Sequence, residues 1–344
     1  MKVRVGVNGF GTIGKRVADA IARQPDMELV GVAKTRPGFE ARRAIERGYP
    51  LYVSGAGTPE KFAAAGTKVA GRFAELLGQV DVVVDATPED VGRENKALYE
   101  KAGVRAVFQG GEEADVAEAS FNALANYDAG RGKRFLRVVS CNTTGIARAA
   151  AVLVPRWGVS RWDVTLVRRA TDPGESKKGP VDGIVPTLEM PSHHGPDVRT
   201  IYPELPIATA AVVVPTTLMH VHVNHVRLTR PPADTAELVR AFAATPRFQL
   251  FRAGDGVDGT PQVMEFARDR AGVGSRLSGD MPENVLWERG VRLDGADAYF
   301  FQAIHQESIV VPENVDAVRA MFDLAKDRDA SIALTDRTLG IARS

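Results

Sequence analysis

The first third of the chain alternates short apolar runs with segments whose apolar residues recur at helical spacing. The runs are rich in β-branched residues, which is typical of parallel strands buried on both faces of a sheet. Predicted strands lie at Val3–Val7, Leu29–Val32, Val80–Val84, Ala106–Phe108 and Phe135–Val139. Helical spacing predicts helices at Lys15–Gln24 and Glu89–Lys101. Strand and helix repeated in this way predict an α/β fold with a Rossmann-type doubly wound sheet.

The pattern changes after residue 141. An alanine-rich helix is predicted at Thr144–Val154, and longer strand-like runs follow it at Trp162–Arg168, Ala211–Val214 and His220–Leu228. A polar stretch rich in proline and glycine, Thr171–Pro206, lies among these runs. Loops of that length inside a compact domain are usually functional. This part of the chain therefore predicts a mixed α+β domain.

The 344 residues suffice for about two domains at roughly 150 residues each. We predict a nucleotide-binding domain over residues 1–140 and a catalytic, substrate-binding domain over residues 141–302. A single closing helix within 303–344 is predicted to return to the first domain and complete it. It starts near Pro312, and its apolar residues share roughly one face: Val315, Val318, Phe322 and Leu324.

Composition narrows the class of protein. Apolar residues make up 44% and charged residues 25%, which is ordinary for a globular protein. The 44 basic minus 43 acidic side chains leave a formal charge of +1, which gives no general case for a nucleic-acid or membrane partner. The one cysteine excludes an intramolecular disulfide, and neither a signal peptide nor a membrane-spanning run is recognisable. We expect a cytoplasmic protein in a reducing compartment.

Residues 8–14, Asn-Gly-Phe-Gly-Thr-Ile-Gly, contain Gly-x-Gly-x-x-Gly between a predicted strand and a predicted helix. That context makes the motif informative. In a dinucleotide site, Gly9 would make the tight turn, Gly11 would let the backbone approach a pyrophosphate, and Gly14 would let helix and strand pack closely. The N–H groups at the helix start would then face phosphate oxygens. The motif predicts cofactor binding; a purely structural glycine turn is the alternative.

The end of the second predicted strand bears on the choice of cofactor. An NAD site of this kind places Asp or Glu about 20 residues further on to hold the ribose 2′-hydroxyl. Here the strand ends in Lys34, Thr35 and Arg36 instead, and these side chains would accept a 2′-phosphate. We infer NADP as the cofactor, alone or alongside NAD. The alternative is a solvated basic turn.

Cys141 is the candidate nucleophile. It lies where a predicted strand gives way to a predicted helix, and a helix N-terminus lowers the pKa of a thiol through its dipole and free N–H groups. Asn142 and Thr143 could also donate hydrogen bonds to an oxyanion. We therefore predict a reactive thiol, although a lone cysteine is more often a small buried apolar residue.

A thiol nucleophile needs a base, and the chain has six histidines. His220 and His222 are two residues apart and so share one face of a predicted strand. We prefer His220 as the base and keep His222 as the second choice. No third ligand with suitable spacing accompanies them, so we predict no metal site.

Basic side chains cluster on the segments that follow Cys141. Arg can bind phosphate oxygens in bidentate fashion, and Lys binds them as a point charge. Each of these side chains alone would more often be a solvated charge, but together they predict sites for a phosphorylated substrate and for inorganic phosphate. The members of the cluster are Arg168, Arg169, Lys177, Lys178, Ser192–Gly195 and Arg199.

These segments together resemble the archaeal-type (class II) glyceraldehyde-3-phosphate dehydrogenases, phosphorylating enzymes that use NAD and NADP. The resemblance runs nearly end to end, and the segments around Cys141 and His220 are specific to this branch. It is carried by Val7–Gly14, Phe39–Arg42, Asp85–Pro88, Gln109–Glu112, Ser140–Thr144, Val185–Thr187, His193–Asp197, Pro215–His220, His305–Ser308 and Val311–Asn314.

The resemblance implies oxidation of D-glyceraldehyde 3-phosphate to 1,3-bisphosphoglycerate in glycolysis or gluconeogenesis, through a thiohemiacetal and a thioester. It implies Cys141 as nucleophile and His220 as general base, in a cytoplasmic homotetramer. The extra histidines of 221–225 leave His222 open as the base. The substrate contacts that it implies are Ser140, Asn142, His193 and His194, and Thr143 joins them as the candidate oxyanion donor. The cofactor contacts that it implies are Thr12, Ile13, Gly111, Arg169 and Gln306.

Two other functions stay open from the sequence. Another Rossmann aldehyde dehydrogenase with a thioester step, such as an aspartate-semialdehyde dehydrogenase or an acyl-phosphate reductase, would have a carboxylate-bearing substrate and a different cysteine context. A non-catalytic redox sensor would bind NADP and oxidise Cys141 without turnover. A sensor has no need of the histidines or of the basic cluster.

Overall fold

The computed structural model describes residues 2–109, 111–170, 182–217, 219–271 and 279–341. The chain forms two compact units. Unit 1 comprises Met1–Ser140 and Val310–Leu339, and unit 2 comprises Cys141–Ile309 with the end of the chain from Gly340. Each unit is built on a sheet of its own.

Unit 1 is built on a parallel sheet with eight strands among its described residues, in the order β4-β3-β2-β1-β5-β6-β8-β7. The strand order reverses direction between β1 and β5, where open α/β sheets bind ligands beyond the carboxyl ends of the strands. The strands are β1 Val3–Asn8, β2 Met27–Lys34, β3 Leu51–Val53, β4 Gly71–Arg72, β5 Val82–Asp85, β6 Arg105–Phe108, β7 Ala119–Phe121 and β8 Phe135–Val138.

Helices and short turns connect these strands. The central strands β1 and β5 are apolar and fully buried at Val5, Val7 and Val82–Val84, because helices cover both faces of such a sheet. Their last residues, Asn8 and Asp85, are polar and buried as well. The helices are α1 Thr12–Ala22, α2 Phe39–Glu46, α3 Pro59–Ala64, α4 Phe73–Leu77, α5 Val91–Ala102 and α6 Ala123–Asn126.

Unit 2 contains a mixed sheet in the order β10-β11-β9-β12-β16-β14-β13, with β15 paired to β16. The pairs β9/β11 and β13/β14 are parallel, and the pairs of β12 with β9 and β16 are antiparallel. The strands are β9 Val159–Arg169, β10 Val185–Pro186, β11 Ile207–Val214, β12 His220–Leu228, β13 Phe248–Phe251, β14 Asn284–Trp287, β15 Arg292–Asp294 and β16 Asp297–Ile304.

One face of this sheet packs against a long buried helix. The unit's helices are α7 Cys141–Trp157, α8 His194–Arg199, α9 Thr235–Ala243 and α10 Thr260–Ala271. Along β12, alternate residues point inward toward α7, so His220, His222 and Asn224 are buried while Val223 is exposed. The period of two in a strand therefore carries both histidines to the same buried face. None of the helices in the described ranges is long and apolar enough to cross a membrane.

The predicted elements recur with shifted ends. The alanine-rich helix begins at Cys141 itself rather than at Thr144 and runs to Trp157. The mixed sheet of unit 2 and the parallel sheet of unit 1 confirm the predicted fold class. Residues 303–309 and the end of the chain from Gly340, which were predicted to belong to the first domain, group with unit 2 instead. Residues 303 and 304 do so because they are the end of β16, which pairs with β12 and β14.

The tail prediction of one amphipathic helix is wrong. Two helices form, α11 Val311–Met321 and α12 Arg328–Leu339, and Phe322 and Leu324 lie in the connection between them. Every residue of α11 is buried, including its charged side chains. A helix buried on all sides has no single apolar face, so the one-sided pattern could not describe it.

A buried arginine holds this tail inside unit 1. Arg319 on α11 is fully buried and binds Asp26, whose Oδ2 lies 2.7 Å from its Nε. It also donates to Thr335 of α12, and Asp316 accepts hydrogen bonds from Ser331 and Thr335 of the same helix. The cluster therefore ties α11 and α12 to the segment that precedes β2.

Arg319→Ala is expected to destabilise unit 1 by about 3–5 kcal/mol, because it leaves the buried Asp316 and the partly buried Asp26 without their cation. Arg43→Ala is the control, since Arg43 pairs with Glu46 at the surface and such pairs contribute about 1 kcal/mol or less. Calorimetric melting curves of both variants provide the measurement. Equal shifts in the two variants would contradict the role given to Arg319.

Candidate active site

The glycine motif of unit 1 forms a tight loop between β1 and α1. Gly9 has φ +93°, and a Cβ there would lie 2.6 Å from the carbonyl oxygen of Ala86. A Cβ on Gly14 would lie 1.8 Å from the carbonyl oxygen of Gly9, so neither position admits a side chain. Gly11 caps α1 without a side-chain hydrogen bond, and a Cβ there would meet nothing within 4 Å. The open backbone at Gly11 and the first turn from Thr12 fit a phosphate group.

Polar side chains tie this loop to the neighbouring strand end. Asn8 Nδ2 donates to the Tyr99 hydroxyl at 3.0 Å, and that hydroxyl donates to Asp85 Oδ2. Burial and the charge of Asp85 raise the pKa of Tyr99 well above its usual value. Asn8 Oδ1 is buried without a partner among the described residues. Sequence reasoning missed this set, whose one signal was a polar residue at the end of each apolar strand.

The basic end of β2 is partly neutralised. Lys34 Nζ lies 2.6 Å from Glu40 Oε2 and donates to the carbonyl oxygen of Phe10 at 3.2 Å. Thr35 and Arg36 are exposed beside it. A carboxylate therefore does lie at this strand end, but it comes from α2 and pairs with the lysine. Gly111, another predicted cofactor contact, has φ +84°, and a Cβ there would meet nothing within 4 Å among the described residues.

Cys141 is the first residue of α7, directly after Ser140, as predicted. The predicted direction of its pKa is wrong. Burial raises the pKa of the Cys141 thiol to about 11, although the charges of Arg168 and Arg169 and the N–H of Asn142 lower it. The helix terminus acts in the predicted direction and the two arginines add to its effect, but loss of hydration outweighs them.

His220 is buried on β12, and burial, with the neighbouring charges, lowers its pKa well below the usual value, so the ring is neutral at pH 7. Its Nδ1 accepts a hydrogen bond from the backbone N–H of Arg169 at 3.0 Å. The ring also binds the Gln306 side chain in a contact that favours its N–H. The lone pair is therefore on Nδ1 and the proton on Nε2.

Arg169 joins the end of β9 to the segment after β16. Its Nη1 lies 2.7 Å from Glu307 Oε1, and its Nε donates to the side-chain oxygen of Gln306. His305 Nε2 lies 2.9 Å from Glu307 Oε2. Burial opposes the charge on Glu307, but His305 and Arg169 outweigh it and lower the pKa of Glu307 to about 2. Glu307 was not predicted as a site residue, and its one signal in the sequence was its place in the segment His305–Ser308 that carries the resemblance.

The two histidines of the predicted substrate pair occupy different environments. His193 is exposed, whereas His194 is buried and stacks on it at 4.0 Å between ring centroids. Burial, with the charges of His193 and Arg168, lowers the pKa of His194 to about 3. His194 is thus neutral and cannot contribute a positive charge to anion binding. Its Nε2 lies 3.4 Å from the amide nitrogen of Asn142.

The structure distributes the remaining predicted side chains. The Thr143 hydroxyl donates to Asp197 of α8, so it is not the oxyanion donor that was predicted. Arg168 is half-buried, and its Nε is buried without a partner among the described residues. Arg199 is exposed. Lys177 and Lys178, with the first part of the loop Thr171–Pro206, lie outside the described residues.

His222 differs from His220 in its partners. Its Nε2 lies 2.9 Å from Asn142 Oδ1, and its Nδ1 lies 2.9 Å from Gln302 Nε2. Burial lowers the pKa of His222 to about 3. Across the described ranges, no group of three histidine, cysteine or acidic side chains could hold a metal ion.

Comparison with known proteins places two family matches on the chain. Residues 140–280 match the family "Glyceraldehyde 3-phosphate dehydrogenase, C-terminal domain". Residues 3–118 match the family "Dihydrodipicolinate reductase, N-terminus". The first match covers the thiol and both β12 histidines, and the second covers the glycine loop and the end of β2.

Three relatives that match over nearly the full length of this chain carry the same name. Glyceraldehyde-3-phosphate dehydrogenase of Archaeoglobus fulgidus is 51% identical over 100% of this chain and 99% of its own length. The protein of that name from Pyrococcus abyssi is 51% identical over the whole of both chains. The one from Halobacterium salinarum is 51% identical over 98% of this chain and all of its own.

Alkylation of Cys141 is expected to accelerate with pH toward a midpoint near 11, far above the roughly 8.5 of a free cysteine, because burial disfavours the thiolate. Arg168→Gln is expected to raise this midpoint further, since it removes a nearby positive charge. Short iodoacetamide pulses across the pH range measure the rates.

Arg161→Gln is the matched control for that series, because Arg161 lies on the same strand but is exposed and pairs with Asp163. It should leave the midpoint unchanged. A rate that already levels off below pH 8 in the wild-type protein would contradict the dominance of burial.

Proposed function

The chain belongs to the glyceraldehyde-3-phosphate dehydrogenase family, and we propose from this premise that Cys141 and His220 carry out the phosphorylating oxidation of D-glyceraldehyde 3-phosphate. The protein is an NAD(P)-dependent oxidoreductase of glycolysis. The observation that carries the proposal is the thiol at the start of α7, within the field of Arg168 and Arg169. The product is 1,3-bisphosphoglycerate, and inorganic phosphate is the second substrate.

Cys141 acts as the nucleophile on the aldehyde carbon. A carbon–sulfur bond forms, and the thiol proton ends on the former carbonyl oxygen, giving a thiohemiacetal. Because burial raises the pKa of the Cys141 thiol, we assign the loss of its proton to the same step as the attack of the sulfur. The glycine loop of unit 1 would hold a dinucleotide that would supply the hydride acceptor, and His220 would take the hydroxyl proton as this adduct is oxidised to a thioester. Phosphate then attacks the acyl carbon, the carbon–sulfur bond breaks, and the proton held by His220 returns to the Cys141 sulfur.

His220 handles the proton in this scheme. A neutral ring suits a general base, because it can accept a proton at neutral pH. Its lone pair already accepts the N–H of Arg169, so accepting a proton costs that hydrogen bond, about 1 kcal/mol. Its Nε2–H contacts the Gln306 side chain, so it would exchange that contact for the developing oxyanion during the reaction. His220 therefore serves the reaction as donor and as base.

Arg168 is the cation that we assign to the substrate's phosphate group. Arg169 is paired with Glu307, and His194 is neutral. Arg168 Nε has no partner among the described residues, and its charge acts on Cys141, His194 and His220 alike. Ser140, Asn142 and His193 complete the substrate contacts that the family resemblance implies.

Unit 1 supplies the cofactor site in this proposal. Gly9, Gly11 and Gly14, with the N–H groups of Thr12 and Ile13, would hold the pyrophosphate. Lys34, Thr35 and Arg36 at the end of β2 would contact the ribose and its 2′ group, and Gly111 would contact the cofactor as well. Arg169 and Gln306 of unit 2 are cofactor contacts only by resemblance, because the structure gives them partners within their own unit.

We also propose a homo-oligomer, a tetramer, in the cytoplasm. The outer face of the unit 2 sheet leaves Val223, Tyr299 and Phe301 between 38% and 44% exposed. Neighbouring exposed apolar side chains of this kind mark surfaces that a partner covers. A second copy of this chain is the occupant that the family resemblance implies.

Purified protein is expected to reduce NADP and NAD with glyceraldehyde 3-phosphate, at a rate that depends on inorganic phosphate. Cys141→Ser should lose this activity by at least a thousandfold, because serine cannot form the thioester, while cofactor affinity is kept. Absorbance of the reduced nicotinamide follows turnover, and fluorescence titration follows cofactor binding. Phosphate-independent turnover would contradict the phosphorylating reaction, and activity in the serine variant would contradict the role of the thiol.

Glu40→Gln is expected to shift selectivity toward NADP. The change removes the carboxylate that neutralises Lys34 and leaves a cation for the 2′-phosphate. A partly exposed pair of this kind is worth about 1 kcal/mol, or roughly fivefold in the ratio of the two dissociation constants. Glu46→Gln on the same helix, whose partner is the exposed Arg43, is the control. A shift toward NAD would contradict this account of β2.

A further inference from the structure

The Asn142 amide lies between two buried histidines that come from different elements. Its Oδ1 is 2.9 Å from Nε2 of His222 on β12, and its Nδ2 is 3.4 Å from Nε2 of His194 on α8. Asn142 directly follows Cys141 in α7, and its backbone N–H acts on the thiol. The orientation of this amide is therefore an element of the site.

A backbone carbonyl fixes the direction of the hydrogen bonds from the β12 side. The carbonyl oxygen of Gly145 can only accept, so the group of Asn284 that lies 2.8 Å from it is the amide nitrogen. The same nitrogen donates to Gln302 Oε1 at 3.0 Å. Gln302 must then present its nitrogen, as donor, to His222 Nδ1. Turning the Asn284 amide over would set its oxygen against a carbonyl.

His222 consequently carries its proton on Nε2. Its Nδ1 is the acceptor for Gln302, so its Nε2–H is the donor to Asn142 Oδ1. Asn142 then has its Nδ2 directed at His194. One backbone carbonyl has thus determined one tautomer and three amide orientations, those of Asn284, Gln302 and Asn142.

The hydrogen bonds on the His194 side, followed from Thr209, give the Asn142 amide the same orientation. The Thr209 hydroxyl donates to the carbonyl oxygen of Ser192 and accepts the N–H of Gly195. It must therefore accept from the Ser192 hydroxyl, 2.8 Å away. The Ser192 oxygen is then the acceptor for Nδ1–H of His194, at 3.2 Å. His194 Nε2 is left as a lone pair, which is what Asn142 Nδ2 needs.

The arrangement is complete only when both rings are neutral. A proton on Nδ1 of His222 would face the Gln302 donor, and a proton on Nε2 of His194 would face the Asn142 donor. Both side chains are buried, which keeps the pKa of each at about 3. The charged or titratable groups that act on His194 are His193, Arg168 and His222.

We propose that Gln302 and Asn284 are positioning residues, which act through His222 to hold the Asn142 amide in one orientation beside Cys141. The inference rests on the proposed function, because the fixed amide nitrogen would be a donor to an oxygen of the aldehyde substrate. His222 then keeps its proton on Nε2 and links Gln302 to Asn142, and it does not act as a base. We call the hydrogen bonds that run from Asn284 through Gln302 and His222 to Asn142 the relay. Loss of the relay frees the Asn142 amide to turn, which lowers kcat/KM for the aldehyde and leaves the affinity for the cofactor unchanged.

The first test reads the tautomer without any activity measurement. In protein with 15N-labelled histidine, we expect His222 to show a protonated Nε2 and a bare Nδ1, unchanged over about pH 5.5–8.5, where an ordinary histidine titrates. His222→Gln assigns the signals. A proton on Nδ1, or titration within this range, would overturn the relay.

Gln302→Glu reverses the polarity at His222 by replacing the donor with an acceptor. The carboxylate is expected to raise the pKa of His222 until both nitrogens carry protons at neutral pH. Gln249→Glu is the control: Gln249, on β13 of the same sheet, donates to the carbonyl oxygen of Leu250 instead, so this change should leave the His222 signals unchanged. An unchanged His222 spectrum in Gln302→Glu would overturn the assignment of its partner.

Kinetics test the positioning role itself. Gln302→Leu is expected to lower kcat/KM for glyceraldehyde 3-phosphate by about tenfold to a hundredfold, as misplacement of a substrate contact does, with the dissociation constant of NADP unchanged. Gln249→Leu is the control. Equal kinetics in the two variants would overturn the role. If the wild type does not oxidise the aldehyde, the proposed function fails while the histidine spectra still decide the relay. The wild-type spectrum, assigned with His222→Gln, does so even if the Gln302 variants do not fold.

Discussion

The buried ion pair of Arg169 and Glu307 is the interaction on which the arrangement of unit 2 depends. It joins the end of β9 to the segment after β16, and it brings Gln306 against the same guanidinium. Burying two charges is costly, and close geometry with further hydrogen bonds must compensate. His305 supplies one of those bonds to Glu307. Because the chain is held at Arg169, its backbone N–H is held as well, and that N–H determines which nitrogen of His220 carries the proton.

The same low polarity that strengthens this pair suppresses charge on its neighbours. Cys141, His194, His220 and His222 all shift toward their neutral forms. The surroundings of Cys141 therefore divide into a charged part, around the two arginines and Glu307, and a neutral part, around Asn142. Reactivity of the thiol then depends on proton transfer during attack and not on a preformed thiolate, whose stabilisation by the arginines is smaller than its loss of hydration.

The sequence predicted what depends on local pattern. Strand and helix periods indicated the two kinds of sheet, the glycine spacing indicated the loop after β1, and a residue at a strand-to-helix junction proved to begin α7. It could not predict the tail, because α11 is buried on all sides. It also could not predict the pairing of Lys34 with Glu40, or the alignment of Asn284 and Gln302 behind His222. Those contacts depend on strand register and on burial, and a polar residue at an inward strand position looks the same in sequence whether or not it has a partner.

The choice of Arg168 as ligand of the proposed anion site follows from comparing the environments of the described basic side chains, which a count of basic residues does not show. A buried arginine that is already paired adds little attraction for a further anion, which excludes Arg169 as the main ligand. A neutral imidazole offers direction but no charge, which excludes His194. Arg199 and His193 are exposed, and water weakens the interaction of an exposed side chain with an anion. Arg168 alone among these described side chains combines a buried, unpartnered nitrogen with a field that reaches Cys141. An anion bound to it would neutralise part of the charge that now lowers the pKa of the thiol, so substrate binding itself would favour the protonated thiol and make the proton acceptor at His220 more important.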